Sequence, residues 1–423
     1  MAKLKIKNFG PITQGFTEDD GFMEITPVTV VCGEQASGKS SVAKLYAYFS
    51  WLEKAFARMD YTIPSFTTEE FIELSKNQQI QEYFRDETYL EYQGTLFSFI
   101  YSDKTIKYSS RIDSITKETP DYYRPKIMYI SSERNILSTL EDVENVRKVP
   151  VMLSLLLDEY KKAKKASATG VFTLPVSNIE LKYDKNTENT YVLKGDSVVN
   201  ILNASSGIQS VAPMSVVSRY LSETTLAESK KDLQNLSYTE RRFIRDWIAH
   251  NTNMPEQMIE TFDKAILQNT DELIKSIPSF AKYLNYYFNR CFINIVEEPE
   301  QNLYPTSQEK VLYELLECAN VSPLNSLFVT THSPYIISYL TLAIKAAELK
   351  NKNCPVEKLA EIVPEKAMVE GKNCTVFEIK DGTINKLKTY GAGLPSDSNY
   401  LNNLLEETNK KFDRLLDLQE EYE

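Results

Sequence analysis

Residues 33–40 read Gly33-Glu34-Gln35-Ala36-Ser37-Gly38-Lys39-Ser40. Two glycines at that spacing, followed by Lys and Ser, form a cradle for phosphate. Successive backbone N–H groups can converge on one concavity, and a following helix N-terminus adds positive field. Lys39 would reach the β- and γ-phosphates of a nucleotide, and Ser40 offers a hydroxyl to Mg²⁺. Gly33, Gln35, Ala36, Ser37, Gly38, Lys39, Ser40 and Ser41 are therefore candidate nucleotide-binding residues, with ATP and Mg²⁺ the implied ligands. Hydrolysis needs two further groups, an acid that supports the metal and a base that orients water. Glu297 and Glu298 close a hydrophobic run far downstream and suit these roles in that order, Glu297 toward Mg²⁺ and Glu298 toward water. An acidic helix entry beside a proline is the alternative. His332, one of only two histidines, follows a β-branched run directly. That places it at the carboxyl edge of a sheet, where it can touch a γ-phosphate. Lys39, Glu298 and His332 form the candidate catalytic set.

These residues need elements to hold them. Val28-Thr29-Val30-Val31-Cys32 is a compact β-prone run ending at Gly33, and apolar residues from Val42 to Phe56 recur at helical spacing. Strand, glycine-rich loop and helix is the context a phosphate loop requires. Further strands are expected at 126–130, 292–296 and 327–330. A β-meander is expected over 89–110, helices over 67–86, 150–165, 306–319 and 335–350, and a hairpin near 375–387. Asn294 is a polar residue in an otherwise apolar strand, and the sequence offers no reason for it. Residues 223–289 read as an inserted helical unit, which divides an ATPase core of 1–222 and 290–390. Residues 391–423 read as a docking helix, with Leu401, Leu404, Leu405, Phe412, Leu415, Leu416 and Leu418 mostly on one face.

The set Gly33 to Ser40, Ser205-Ser206-Gly207-Ile208-Gln209, Glu297-Glu298-Pro299-Glu300 and Thr330-Thr331-His332-Ser333-Pro334, in this order, resembles the ABC-type ATPases of the RecF/SMC and OLD branch. The tail Gly393 to Asn402 resembles stand-alone ATPases of anti-phage defence operons, including the ATPase subunit of PARIS-type systems. The resemblance implies an α/β fold, an ABC-type P-loop head with a mixed central sheet and flanking helices, a β-meander lobe and a helical insertion. It also implies that Ser205, Ser206, Gly207 and Gln209 contact ATP held by a second copy, giving a homodimer or higher oligomer. Glu298 would match the catalytic base, His332 the switch histidine and Glu297 the metal support. Asn8 and Phe9 would match a segment near the nucleotide base, and Glu133-Arg134 a nucleotide-proximal loop. The signature departs from the transporter form Leu-Ser-Gly-Gly-Gln, which speaks against a transporter subunit.

The expected function is thus an ATP-hydrolysing sensor or regulatory subunit of an anti-phage complex that controls a separate effector, a nuclease by analogy. A phage-derived trigger and DNA are further partners compatible with this branch. A RecF-like repair ATPase binding DNA directly and a non-hydrolysing scaffold are the alternatives. Folded as two antiparallel helices, the insertion would reach only about 50 Å at roughly 1.5 Å per residue, too short for long tethering arms. Its basic residues Lys230, Lys231, Arg241, Arg242 and Arg245 read as a contact surface or a solvated helical face. The net charge of −11 argues against indiscriminate coating of nucleic acid. No run approaches the 20 or so apolar residues of a membrane span. The five cysteines have no paired spacing, so a reducing, cytoplasmic setting is expected.

Overall fold

The computed structural model describes residues 2–58, 60–61, 65–111, 121–140, 148–167, 169–176, 178–230, 237–251, 257, 260, 264, 285–286, 288–397 and 399–422. The strands are β1 Lys3–Lys7, β2 Gly15–Phe16, β3 Met23–Glu24, β4 Val28–Gly33, β5 Tyr89–Gln93, β6 Phe97–Ser102, β7 Thr105–Ser110, β8 Pro125–Ile130 and β9 Val171–Thr173. They continue with β10 Glu180–Tyr183, β11 Thr190–Lys194, β12 Ser197–Asn200, β13 Cys291–Glu297, β14 Ser326–Thr331, β15 Cys374–Lys380, β16 Thr383–Lys386, β17 Thr389–Tyr390 and β18 Leu394–Pro395. The helices are α1 Lys39–Ala57, α2 Thr68–Ser75, α3 Ile136–Thr139, α4 Val151–Ala166, α5 Ser206–Ser229, α6 Tyr238–Asn251, α7 Pro305–Asn320, α8 Pro334–Asn351, α9 Val356–Ala360 and α10 Tyr400–Tyr422.

A seven-stranded sheet in the order β2-β16-β15-β4-β14-β13-β8 is the frame. β15, β4, β14, β13 and β8 run parallel, while β16 returns antiparallel beside β15. Every residue of β4 is buried, as a central parallel strand covered on both faces must be. On one face Val31, Ile295, Phe328 and Phe377 pack with Val42, Leu45 and Phe49 of α1 in a single cluster, which continues into Leu4 and Ile6 of β1 and Phe99 of β6. On the other, Val28, Val30, Cys32, Val296 and Val329 pack with α4, α5, α7 and α8. The molecule is therefore layered. An antiparallel five-stranded lobe in the order β3-β1-β5-β6-β7 lies over α1, then come the central sheet and the outer helices. A separate four-stranded antiparallel sheet, β12-β11-β10-β9, stands beside α4. The mixed central sheet with flanking helices and the β-meander lobe are as expected.

The lobe accounts for much of the aromatic content. Phe49 of α1 stacks on Tyr92 at 5.3 Å, and Phe56 packs edge-on against Phe66, Phe97, Phe99 and Tyr108. Two expectations change in detail, the extent of the helix over 67–86 and the edge of the core at 222. Residues 67–86 contribute one short helix, α2, followed by 3₁₀ turns. The 375–387 hairpin, β15 and β16, joins the central sheet, β15 pairing with β4 from Cys374 to Ile379. Helix α5 runs unbroken through position 222, the expected edge of the core, to Ser229. Of the insertion, α6 is helical as expected; most of 252–284, and Lys231 of the basic cluster, lie outside the described residues. Among the described residues no helix is long and apolar enough to cross a membrane.

Candidate functional site

β4 delivers the chain to Gly33 and α1 takes it up at Lys39, so the loop spans the carboxyl end of a central strand and a helix N-terminus. The backbone demands its sequence at two points. Gly38 sits at φ +109, and a Cβ there would lie 2.9 Å from Ile12. Gly33 has φ +151, and a Cβ would meet the Ile379 carbonyl at 2.5 Å. Ala36 takes the left-handed region at φ +61. Lys39 is almost fully buried, and its Nζ donates to the carbonyls of Gly33 at 3.0 Å and Glu34 at 2.7 Å. Burial holds its amine below the usual lysine range, partly offset by Glu298 and Glu300. The Ser37 hydroxyl is buried with no hydrogen-bond partner. Gln35 and Ala36 are exposed, Ser40 is half-buried and Ser41 is buried.

The acids arrive on β13, in register with β14 beside β4, Glu297 opposite Thr330. The Glu298 N–H donates to the Thr330 carbonyl at 2.8 Å, and its φ of +46 is left-handed, a conformation that non-glycine residues adopt only where the surroundings hold it. This bend aims the carboxylate back over the sheet end, where Oε1 lies 3.1 Å from His332 Nε2. That hydrogen bond, with Lys39 and Arg134 nearby, holds the Glu298 carboxyl below the usual carboxylate range. The same bond raises His332 above the usual imidazole value. Glu300 is buried, and its Oε1 accepts from Thr331 Oγ1 at 2.7 Å and from the His332 N–H at 2.9 Å. Burial pushes its carboxyl up, and its Oε2 has no partner.

Arg134 binds these parts together. It is wholly buried, and its guanidinium donates to the carbonyls of Ser131 at 3.2 Å, Glu297 at 2.6 Å, Glu298 at 2.7 Å and Ser210 at 3.1 Å. Burial lowers its pKa to about 10, opposed by Glu300, Glu298 and Glu297. One side chain thus joins the end of β8, the end of β13 and the first turns of α5.

Lys39, Glu298 and His332 come together at the carboxyl ends of three adjacent parallel strands. Other candidates lie elsewhere. Glu297 is buried, its carboxylate accepting from Tyr129 OH at 2.6 Å and the Ser132 N–H at 3.1 Å. Ser205 and Ser206 are exposed at the start of α5. Gly207 is buried where a Cβ would meet the Asn302 carbonyl at 2.7 Å. Gln209 turns inward, its amide donating to the carbonyls of Ile201 and Leu202 at 3.0 Å each. Phe9 is fully buried between Tyr83 and Phe84 and offers no face to a base; its segment reaches the loop instead through Ile12. Asn8 Nδ2 donates to the Glu87 carbonyl at 3.3 Å.

No protein-family model and no curated relative matches the chain. Among solved structures, the SMC head domain from Thermotoga maritima matches with a TM-score of 0.37 at 9% identity, covering 92% of this chain and 98% of that one. An SMC head bound to the C-winged helix domain of ScpA matches with a TM-score of 0.34 at 10% identity, covering 91% and 96%. At this similarity the fold rests on the strand order and the site on its own geometry.

Glu300 and Thr331 received no role from sequence reasoning, and Arg134 only a loose one. The available signal was a third acid within a few residues of the pair, and an arginine just past a buried strand. Among the described residues no group of three or more His, Cys, Asp or Glu side chains could hold a metal. Ser40 stands half-buried at the loop, while the Glu297 carboxylate is held by Tyr129 and Ser132 and that of Glu298 by His332.

The Glu298–His332 pair has a pH signature. Glu298's pKa is lowered on folding, so its share of stability is present above the ordinary carboxylate range and lost as pH falls through the lowered value. His332's pKa is raised, so its share is full below the ordinary imidazole value and lost as pH rises through the raised one. The Tm difference between the wild type and His332→Gln should be widest near about pH 5 to 6 and narrow toward about pH 9. A difference that stays flat across that range would show that the pair is not formed.

Proposed function

We propose that the chain is a Mg²⁺-dependent ATPase that acts between two copies of itself and controls a separately encoded effector, a nuclease, in anti-phage defence. The observation that carries the ATPase step is the convergence of Lys39, Glu298 and His332 over the phosphate loop. Lys39 would exchange two loop carbonyls for phosphate oxygens, and the orphan Ser37 hydroxyl would gain an acceptor. Mg²⁺ at Ser40, with Glu297 behind it, would supply charge neutralisation on the phosphates. Glu298, ionised at neutral pH, orients the attacking water and takes its proton. His332 holds that carboxylate in place and would contact the γ-phosphate.

Ser205 and Ser206, exposed at a helix N-terminus, present hydroxyls and N–H groups to an anion outside the chain. A second copy's bound ATP is the anion that suits them. ATP occupancy would then set the geometry of the pair, and so the state of the effector. The defence role is supported by the sequence resemblance of the tail Gly393 to Asn402.

The test is hydrolysis and mass together. MgATP should be turned over, and should convert Glu298→Gln protein to a dimer in light scattering. Adding Ser206→Arg should return that variant to monomer without loss of ATP binding. Turnover with no ATP-dependent change in mass would sink the shared site, and ATP binding without turnover, with any effector present, would favour a scaffold. Salt-sensitive binding to duplex ends would favour a repair ATPase over control of an effector.

A further inference from the structure

A cavity of about 480 Å³ lies apart from the phosphate loop, between the second half of α4, the turn joining β10 to β11, and the turn Asn200 to Leu202 that leads into α5. Its size is that of a small-molecule site. One wall is apolar, with Leu137, Leu140 and Leu157, and the other carries Lys161, Lys164 and Lys165.

Lys164 is the telling residue. Its Nζ lies 4.5 Å from the Tyr160 ring centre and 5.0 Å from that of Tyr183, with the Thr190 hydroxyl at 3.5 Å. Among the described residues no carboxylate pairs with it, because Glu188 is taken by Lys165 at 3.1 Å. Burial and the two neighbouring lysines, opposed by the field of Glu188, bring its amine down to about 8. The Tyr160 ring belongs to the same wall, and its buried hydroxyl faces Ser138. An ammonium set on aromatic faces, between like charges and with no carboxylate in direct contact, has its packing but lacks a contacting anion.

We propose that this cavity binds a phosphorylated small molecule of nucleotide size, its phosphate on Lys161 and Lys164 and its ring against Tyr183 and the leucine wall. The occupant would also touch the α5 entry. Ile201 and Leu202 line the cavity, and their carbonyls hold the Gln209 amide in the first turn of α5. Binding there would tighten the turn that presents Ser205 and Ser206. This link to hydrolysis rests on the two-copy reading above, whereas the binding itself does not.

The experiment titrates AMP, GMP, CMP, UMP and inorganic pyrophosphate by calorimetry into the full chain carrying Lys39→Ala, which removes the phosphate-loop lysine. At least one mononucleotide should bind at one per chain, and Lys164→Met, which keeps the apolar stem, should weaken it roughly tenfold or more. Lys161→Gln, in the same wall, should weaken it in the same direction and serves if Lys164→Met does not fold. Binding of none of the mononucleotides at millimolar concentration, of pyrophosphate alone, or with affinity indifferent to both lysine variants would overturn the proposal. ATP binding by the unaltered chain, compared with Lys39→Ala, reports separately on the phosphate loop.

Discussion

Glu298→Gln should abolish ATP turnover while leaving ATP binding within a few-fold of the wild type. The substitution keeps the shape of the side chain and its reach to His332, so the arrangement of the sheet end should persist. What it removes is the negative charge and the ability to accept a proton from water. General-base contributions run to roughly 10²–10⁴-fold, so a fall of at least about 100-fold in kcat is the expectation. The carboxyl is ionised at neutral pH and free to accept a proton, its pKa held below the usual range by the hydrogen bond from His332 and the proximity of Lys39 and Arg134. KM should change little, because the affinity groups are the loop backbone and Lys39. Single-turnover measurement with excess enzyme separates this from slow product release. A variant that hydrolyses ATP within about threefold of the wild type would remove Glu298 from the mechanism and leave the buried Glu300 as the acid to examine.

The phosphate loop could be read from the sequence because its requirements are local. β4 declares itself by β-branched residues, and α1 by its apolar spacing. The two glycines occupy backbone conformations or close approaches that a side chain would resist. His332 was legible for a related reason, since a polar residue directly after a buried parallel strand must emerge at the sheet end. What could not be read was the wiring between residues far apart in sequence. Arg134 finds partners 76 residues away at Ser210 and 163 away at Glu297, and nothing in its neighbours announces them. Gln209 belongs to an outward-facing motif by position, yet its amide is needed to cap two carbonyls of the preceding turn. Asn294, unexplained as a polar residue in a core strand, donates from Nδ2 to Ser218 Oγ of α5 at 3.0 Å. That bond ties the β13 strand to the same helix that Arg134 grips. The pairing of β15 with β4 was hidden likewise, because a hairpin's sequence does not say which sheet it joins.

Arg134→Met should destabilise the fold by roughly 3–5 kcal/mol, the scale for disrupting a buried charged group and its partners. Methionine fills part of the space but its side chain donates nothing, so the carbonyls of Glu297, Glu298 and Ser210 lose the guanidinium while Ser131 keeps the backbone N–H of residue 134, each loss costing about 1–3 kcal/mol before relaxation. Two of those carbonyls, of Glu297 and Glu298, flank the bend that aims the base, and Glu298 at φ +46 relies on its surroundings to stay there. The electrostatic effect adds to this. With the guanidinium gone, Glu298 loses a charge that lowers its pKa, and buried Glu300 loses a nearby cation. Arg134→Lys separates the two contributions. It restores the charge but cannot reach all four acceptors with one ammonium, so stability should recover in part while kcat stays low and KM near normal. Urea unfolding monitored by tryptophan fluorescence gives the first quantity and steady-state hydrolysis the second. A loss below about 1 kcal/mol in Arg134→Met would mean that other groups hold the sheet ends together. Full recovery of kcat in Arg134→Lys would mean that charge alone, without the shared grip on Ser210 and Glu298, positions the base.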